Sequence, residues 1–387
     1  MDLGPQPSSR AKPDGTAKDR SKTRSSRLAV DLIFPSLAAI VLLLFHALIS
    51  AESQGAAPTV RIGVLGLFHP HQLTVTAITG QALVVHAPSA QLILETSSGT
   101  DSATLRLDDD SITLIAGPRT IHTDSIAITG RNTDPASFLL SVPQKLTRRY
   151  RGTLEIRPSS GSLLAIVTMD RETAVASVLA AETAGDTPLE ALKAEAIAIR
   201  SYFVAGRARH HEFDFCDTTH CQFLREPPPP ASPAAKAVTS TRGLVLAYDS
   251  QPFAAMYTRS CSGRTHIPAE LHLPSSNYPY YSVECPYCRA HAVRWTTRIS
   301  AAAASHLRPL NEPARLNVVR RLGWAFVPSN DFTETGDGDS FILSGVGQGH
   351  GIGLCQSGAK AMAQDGATFQ QILARYYPNT TVAVWPR

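Results

Sequence analysis

Residues Val178 to Gln222 constrain the fold of this chain more than any other stretch. They encode two helices joined by a sharp corner and then a Cys/His cluster, with one carboxylate at the corner. Asp170 is placed to cap a first helix that carries Ala174, Val175, Val178 and Leu179 at helical spacing. That helix runs out at Ala181–Glu182, just before Gly185. A second start follows at once. Thr187 stands at the N-cap, Pro188 at the first helical position and Glu190 three residues after the cap, the spacing of a capping box. Leu189, Leu192, Ala196, Ile197 and Phe203 form the apolar stripe of this second helix. Lys193 and Arg200 lie nearly two turns apart and project from one side of it. The pattern places Glu182 at a helix-to-helix corner, with two cations on one face of the next helix.

The cluster that follows reads Cys216-Asp217-Thr218-Thr219-His220-Cys221-Gln222. Cys216, His220 and Cys221 make a compact half-site for zinc, which favours tetrahedral N/S ligation. His210 is the fourth ligand chosen here, with His211 the alternative and Asp217 a further oxygen donor. A Cys216–Cys221 disulfide also fits the spacing. A Cys221 nucleophile with His220 as base fits less well, because neighbours on an extended segment point apart. Such a zinc ion is expected to be structural or to shape a groove. Cys261, Cys285, Cys288 and Cys355 form a second set, open to a second zinc site or to two disulfides. Its C-x2-C pair lacks the βαβ context of a redox motif.

Charge locates the chain rather than naming a ligand. Residues 1–27 carry seven Lys or Arg and three Asp, which accounts for the whole formal charge of +4. The body is neutral, so no basic patch for nucleic acid is expected. Residues 32–50 contain no Asp, Glu, Lys or Arg, close to the ~20 residues that span a bilayer. With the basic side first, the tail stays cytoplasmic and the bulk is exported. Residues 28–51 read as a signal peptide or a signal anchor, with Ala51 as a small cleavage residue. Residues 1–27 lack apolar periodicity and read as a disordered tail. Export permits disulfides without requiring them.

From Val60 to about Tyr150 the pattern is β-like. Short apolar runs (VRIGVLGL, QALVVHA, QLILE, ATLRLD, SITLIAG, SFLLSV) are broken by Gly, Asp, Ser and Pro. The His69-Pro70-His71 run reads as a polar turn. Two further strands, LEIRP and SLLAIVTM, lead into Asp170. The fold class expected is α+β: a β-rich N-terminal lobe over 60–150 joined to a mixed helix and strand catalytic lobe over 151–387. Pro227–Pro230 form a stiff polyproline spacer. The glycine-rich run from Gly345 to Gly358 suits a tight loop whose backbone approaches a ligand. It is no phosphate-binding loop, since no Gly-Lys-Ser/Thr follows. Thr368 and Gln371 have capping-box spacing ahead of a C-terminal helix.

Four of these runs together carry a family resemblance. They are Tyr150-Arg151-Gly152; Pro188-Leu189-Glu190-Ala191-Leu192-Lys193-Ala194-Glu195-Ala196-Ile197-Ala198-Ile199-Arg200-Ser201-Tyr202; Cys216 to Gln222 without a gap; and Gly347-Gln348-Gly349-His350-Gly351-Ile352-Gly353. From about residue 148 onward the chain resembles the stage II sporulation protein D and amidase-enhancer family, whose members are or accompany peptidoglycan-lytic enzymes. Thr183 stands where the family has Met, Ala184 where it has Pro, and Glu195 where it has Gln. Thr258 replaces a family His, and Ser262 a Gly. The resemblance implies a lytic transglycosylase acting on peptidoglycan glycan strands stripped of stem peptides. It also implies coupling to an amidase, with a non-catalytic enhancer as the alternative. Glu182 is then the general acid/base, whereas residues alone leave open a solvated or capping Glu. Lys193, Arg200, Tyr202, Tyr257 and His350 are the candidate glycan contacts. For Lys193 and Arg200 the alternative is an exposed face paired with Glu190 or Glu195. For the tyrosines it is a core or rim position, and for His350 a loop-stabilising role. No cofactor is needed for the cleavage itself, and the expected location is the extracytoplasmic envelope.

Overall fold

A computed structural model describes residues 57–131, 134–206, 210–274, 276–308 and 311–385. The expected tail and anchor lie outside the described residues. Among those described, no helix is long and apolar enough to cross a membrane. Residues from Ala56 onward form one compact unit of α+β class.

Eleven strands come first: β1 (Thr59–Val64), β2 (Gln72–Ala77), β3 (Leu83–Ala87), β4 (Ala90–Leu94), β5 (Ser102–Asp108), β6 (Ser111–Ala116), β7 (Arg119–Thr123), β8 (Ile126–Gly130), β9 (Ala136–Val142), β10 (Leu146–Ser159) and β11 (Ser162–Asp170). Inward residues alternate with outward ones, as the B-i-B-i-B-i-B burial of β9 illustrates. Strand β10 organises the sheet. Residues 146–152 pair antiparallel with β9, residues 154–156 with β8, and residues 153–159 with β11. It changes partner at Gly152, where an added Cβ would stand 2.2 Å from the Thr168 carbonyl. Position 150 therefore falls inside a continuous strand. A short strand β12 (Phe215–Cys216) adds in parallel to β1 and brings the Cys/His segment onto the sheet edge. Asp217 fastens it there. Its carboxylate accepts from the Leu65 amide at 3.1 Å and from Arg148 Nη1 at 3.0 Å. Asp217 is thus a structural tie between this segment and the sheet.

Helices α1 (Arg171–Glu182) and α2 (Leu189–Ala205) follow as expected. Asp170 caps α1 by accepting from the Thr173 amide at 3.0 Å. The capping box of α2 does not form. Thr187 Oγ1 donates back to the Ala184 carbonyl at 2.8 Å, closing the corner as a turn. Glu190 instead accepts from Lys193 Nζ at 2.6 Å and from the Phe369 amide at 2.8 Å. Helix α2 is buried on nearly every side, as an apolar helix between two layers must be. Leu192, Ala196, Ile199 and Phe203 enter the core of the large sheet. Ala191, Ala194, Ile197 and Ala198 enter a second core.

Helix α3 (Pro233–Ser240) adds Ala234, Ala237 and Val238 to the core of the large sheet. The second core draws on β13 (Leu244–Tyr248), on the segments that carry β14 (Gln251–Pro252) and β15 (Tyr257–Thr258), and on α4 (Pro286–Ala290), with aromatic packing around Phe253, Tyr278 and Tyr377. A small third core belongs to an excursion of the chain. It comprises β16 (Arg294–Ser300), α5 (Ala301–Ser305), α6 (Glu312–Leu322), β17 (Asp331–Asp337) and β18 (Ser340–Val346). The chain then returns through β19 (Leu354–Cys355), α7 (Gln356–Gln364), α8 (Phe369–Tyr376) and β20 (Thr381–Val384). Thr368 and Gln371 make the expected capping box on α8.

Candidate active site

Glu182 ends α1 and faces a cleft of about 510 Å³. Another part of its lining comes from the third-core excursion and includes Glu312, Arg315, Leu316 and Trp324. Tyr202, Tyr257, His220, Cys221 and His350 line the same cleft.

Two side chains from distant segments hold the corner that presents Glu182. Arg259 Nη1 donates to its main-chain carbonyl at 2.8 Å, and Gln356 Nε2 reaches the same carbonyl at 3.4 Å. The carboxyl itself is poorly hydrated. Burial raises it from 4.5 to about 7, against the Phe223 amide and the charges of Arg259 and Arg225, which pull it down. Behind it, Glu195 is 2% exposed and accepts from Gln356 Nε2 at 2.6 Å. Burial again dominates, Gln356 opposes it and the nearby Glu182 reinforces it, so Glu195 is pushed up to about 8.

Glu312 is the other acid on the cleft wall, and it is already engaged. Arg315 donates to both its carboxylate oxygens at 2.7 Å, and Asn330 adds a bond at 2.6 Å. Burial pushes this carboxyl up, but Arg315 outweighs it, so Glu312 titrates below the ordinary range. Glu182 is the cleft-lining carboxylate that makes no salt bridge among the described residues.

The expected cations are not beside it. Arg200 is fully buried and grips Glu172 through Nε at 2.8 Å and Nη2 at 2.7 Å. Its Nη1 donates to the Leu244 carbonyl at 3.0 Å. It joins α1, α2 and β13 and cannot touch a glycan. Lys193 pairs with Glu190 and lies over the Phe369 ring, away from the cleft. The reading of these two as substrate contacts is corrected. Arg259 and Arg225 are the cations that Glu182 feels.

Tyr202 packs its ring against Phe215, 5.9 Å between centroids. Tyr257 donates to Gln222 Oε1 at 3.1 Å. His350 accepts from the Ile352 amide at 3.0 Å, and desolvation lowers its ring to about 4, so it is neutral at cellular pH. The glycines around it let the chain pack closely on itself, and Gly349 also lines the cleft. At Gly353, with φ 72°, an added Cβ would stand 1.9 Å from the Met256 carbonyl. Thr258, where a His was expected from the family pattern, steadies the loop. It donates to the Gln348 carbonyl at 3.1 Å and accepts from the Gly351 amide at 3.0 Å.

At the cleft edge, His210, Cys216, His220 and Cys221 bring one ligand atom each to within 4.8 Å of one another. His210 Nε2 lies 3.3 Å from Cys221 Sγ, and His220 Nδ1 lies 3.6 Å from the same sulfur and 3.7 Å from Cys216 Sγ. Two imidazoles and two thiols so arranged are a donor set that a tetrahedral zinc ion takes. The sequence missed Glu195, Gln356, Arg259 and the whole wall around Trp324.

A β-rich sheet thus delivers a two-helix corner whose desolvated carboxyl faces a cleft. Comparison with known proteins gives the class a name. The stage II sporulation protein family matches residues 159–248. The chain is 27% identical to an uncharacterised protein of Brachyspira hyodysenteriae, covering 62% of this chain and 73% of that one. It is 27% identical to the stage II sporulation protein D of Bacillus subtilis, covering 38% of this chain and 50% of the relative. It is 43% identical to the amidase enhancer of Bacillus subtilis over 61 residues, 16% of this chain and 9% of the relative. The chain carries a domain of the stage II sporulation protein D and amidase-enhancer family.

Proposed function

We propose that this protein is a peptidoglycan lytic transglycosylase whose general acid and base is Glu182. The observation that carries the reading is the position of Glu182 on the cleft, desolvated and in no salt bridge among the described residues. A carboxyl near 7 is half protonated at neutral pH, suited to give a proton and take one back. Protonation of the glycosidic oxygen releases the leaving sugar. The resulting carboxylate then removes the proton from the C6 hydroxyl of the remaining sugar as that oxygen attacks C1. The product is a 1,6-anhydro ring, and Glu182 ends protonated as it began. A hydrolase needs a second free carboxylate as nucleophile or water activator. Glu312 lines the cleft but is held by Arg315 and Asn330, and Glu195 is buried behind Gln356, so neither is free for that role.

The His210, Cys216, His220 and Cys221 set would hold a zinc ion at the cleft edge. Bound there, zinc would fix the wall formed by His220 and Cys221 without entering the bond cleavage. Export to the envelope and preference for strands stripped of stem peptides belong to the same proposal.

The likeness to an amidase enhancer favours a second reading, in which the cleft binds glycan without cutting it and assists an amidase. One experiment separates the two. Residues 57–387 and the Glu182→Gln variant are incubated with purified glycan strands, with and without stem peptides, and the products are weighed. Anhydro-ended sugars from the unaltered protein alone are expected. Glycan bound but uncut by either protein would overturn the enzyme reading.

A further inference from the structure

Four cysteines take no part in this chemistry. Cys261, Cys285, Cys288 and Cys355 lie in the second core, all at 1% exposure or less. They come from three separate parts of the chain: the loop after β15, the start of α4 and the end of β19. Their sulfurs nevertheless all fall within 4.8 Å of one another.

We infer that these four thiolates form a closed tetrahedral site for a single structural zinc ion. Zinc–sulfur bonds of about 2.3 Å place the sulfurs of a tetrahedron about 3.8 Å apart. Cys288 Sγ and Cys355 Sγ stand 3.5 Å apart, close to that edge. Two disulfides would draw the sulfurs into separate pairs, whereas here all four converge on one point. An iron–sulfur cluster interposes its own sulfides and needs a wider cage. Four ligands leave no open position, so the ion would be structural rather than catalytic.

The surroundings supply what thiolates in a dry core require. The Cys261 amide points at Cys355 Sγ at 3.4 Å. Tyr376 Oη lies 3.4 Å from Cys285 Sγ, and Ser260 Oγ lies 3.5 Å from Cys288 Sγ. Such outer donors offset negative charge on metal-bound sulfur and orient it. Space is reserved as well. A Cβ on Gly358 would stand 2.6 Å from Cys285 Sγ and 2.0 Å from Tyr376 Oη.

The ion would connect directly to the cleft. Cys261 follows Arg259 by two residues, and Cys355 precedes Gln356. Those are the two side chains that reach the Glu182 carbonyl. One metal would pin the roots of both.

The test uses the full chain with Cys216 and Cys221 both changed to Ser, which leaves only the four core cysteines. The protein is purified without added metal or chelator. Metal content is measured, then thiols are counted after denaturation in chelator without reductant. One zinc and four free thiols per chain are expected. No metal with no free thiols would mean two disulfides and would overturn the site, as would four free thiols without metal. The Tyr376→Phe variant provides a milder probe. It is expected to keep the stoichiometry and to lose zinc affinity by about tenfold in chelator competition. An unchanged affinity would remove the claimed role of the hydroxyl. Both readouts are independent of glycan cleavage, so the zinc site and the enzyme reading can fail separately.

Discussion

Gln356 Nε2 lies 2.6 Å from the carboxyl of Glu195, inside the protein, directly behind the residue that faces the cleft. The family pattern has Gln at position 195, and the structure explains how Glu serves there. Pushed up to about 8, Glu195 is a neutral acid at cellular pH. A protonated carboxyl has nearly the shape of a Gln side chain and, like it, offers both a donor and an acceptor, though one donor hydrogen in place of two. The other end of Gln356, Oε1, is buried with no partner among the described residues.

The two acids should therefore titrate in order. Glu182 loses its proton near 7, while Glu195 still holds its own. Cleavage that needs protonated Glu182 should fall as pH rises through about 7. The Glu195→Gln variant should keep that limb within a few tenths of a pH unit and retain most of its activity at pH 6. A pH profile of kcat/KM on soluble glycan checks this. A limb displaced by a full unit would mean that the two acids share one proton instead.

Stability should report Glu195 separately. Its carboxyl titrates at 4.5 when unfolded and at about 8 when folded. The fold favours the protonated form, so no penalty exists below pH 4.5. Stability drains away as pH rises from 4.5 to 8 and stays reduced above that. Glu195→Gln removes the penalty, which is on the order of a few kcal/mol. The variant should match the parent in Tm near pH 4.5 and exceed it by several degrees, roughly, above pH 8. A Tm difference independent of pH would exclude a raised pKa at this site.

The Arg200–Glu172 pair supports a prediction of the opposite kind. Both partners sit in the core where α1 meets α2, so breaking the pair strands a buried charge. Glu172→Gln should cost about 3 kcal/mol or more. Its effect belongs to folding, since neither group reaches the cleft. Urea unfolding should show the loss, while glycan affinity of the folded fraction stays within twofold, roughly. Weakened glycan binding at full folding would restore Arg200 as a substrate contact.

How far the sequence reached follows from which contacts are local. The α1–α2 corner was legible because Asp170 and the apolar spacing act within a few residues. The β pattern was legible where strands are strongly apolar, as in β3 and β9. It failed for β2, β7 and β8, short strands with at most three apolar residues each, which leave too little apolar run to stand out from the loops around them. Glu182 could be singled out by its corner. Its true neighbours could not, because Arg259 and Gln356 lie 77 and 174 residues away in the chain. Lys193 and Arg200 do share a helix, but burial on both sides of α2 engages each with a private acid. The convergence of His210, Cys216, His220 and Cys221 was readable from spacing, since the four fall within a dozen residues.

The cleft lining around Trp324 left no signature, and it offers the sharpest test of the binding mode. Trp324 follows the end of α6 and is 48% exposed while lining the same cleft as Glu182. A large ring left half in water on a cleft wall is a surface on which a sugar face can lie. The third-core excursion around it folds on its own small core, including Val318, Val319 and Val327. Truncating Trp324 should therefore leave the fold and the acid untouched. Trp324→Ala should raise KM for glycan by about tenfold with kcat near that of the parent, the signature of lost uniform binding. A fall in kcat with KM unchanged would place the ring in the reaction's transition state. No change in either constant would move the glycan to the Tyr202 and Tyr257 side of the cleft.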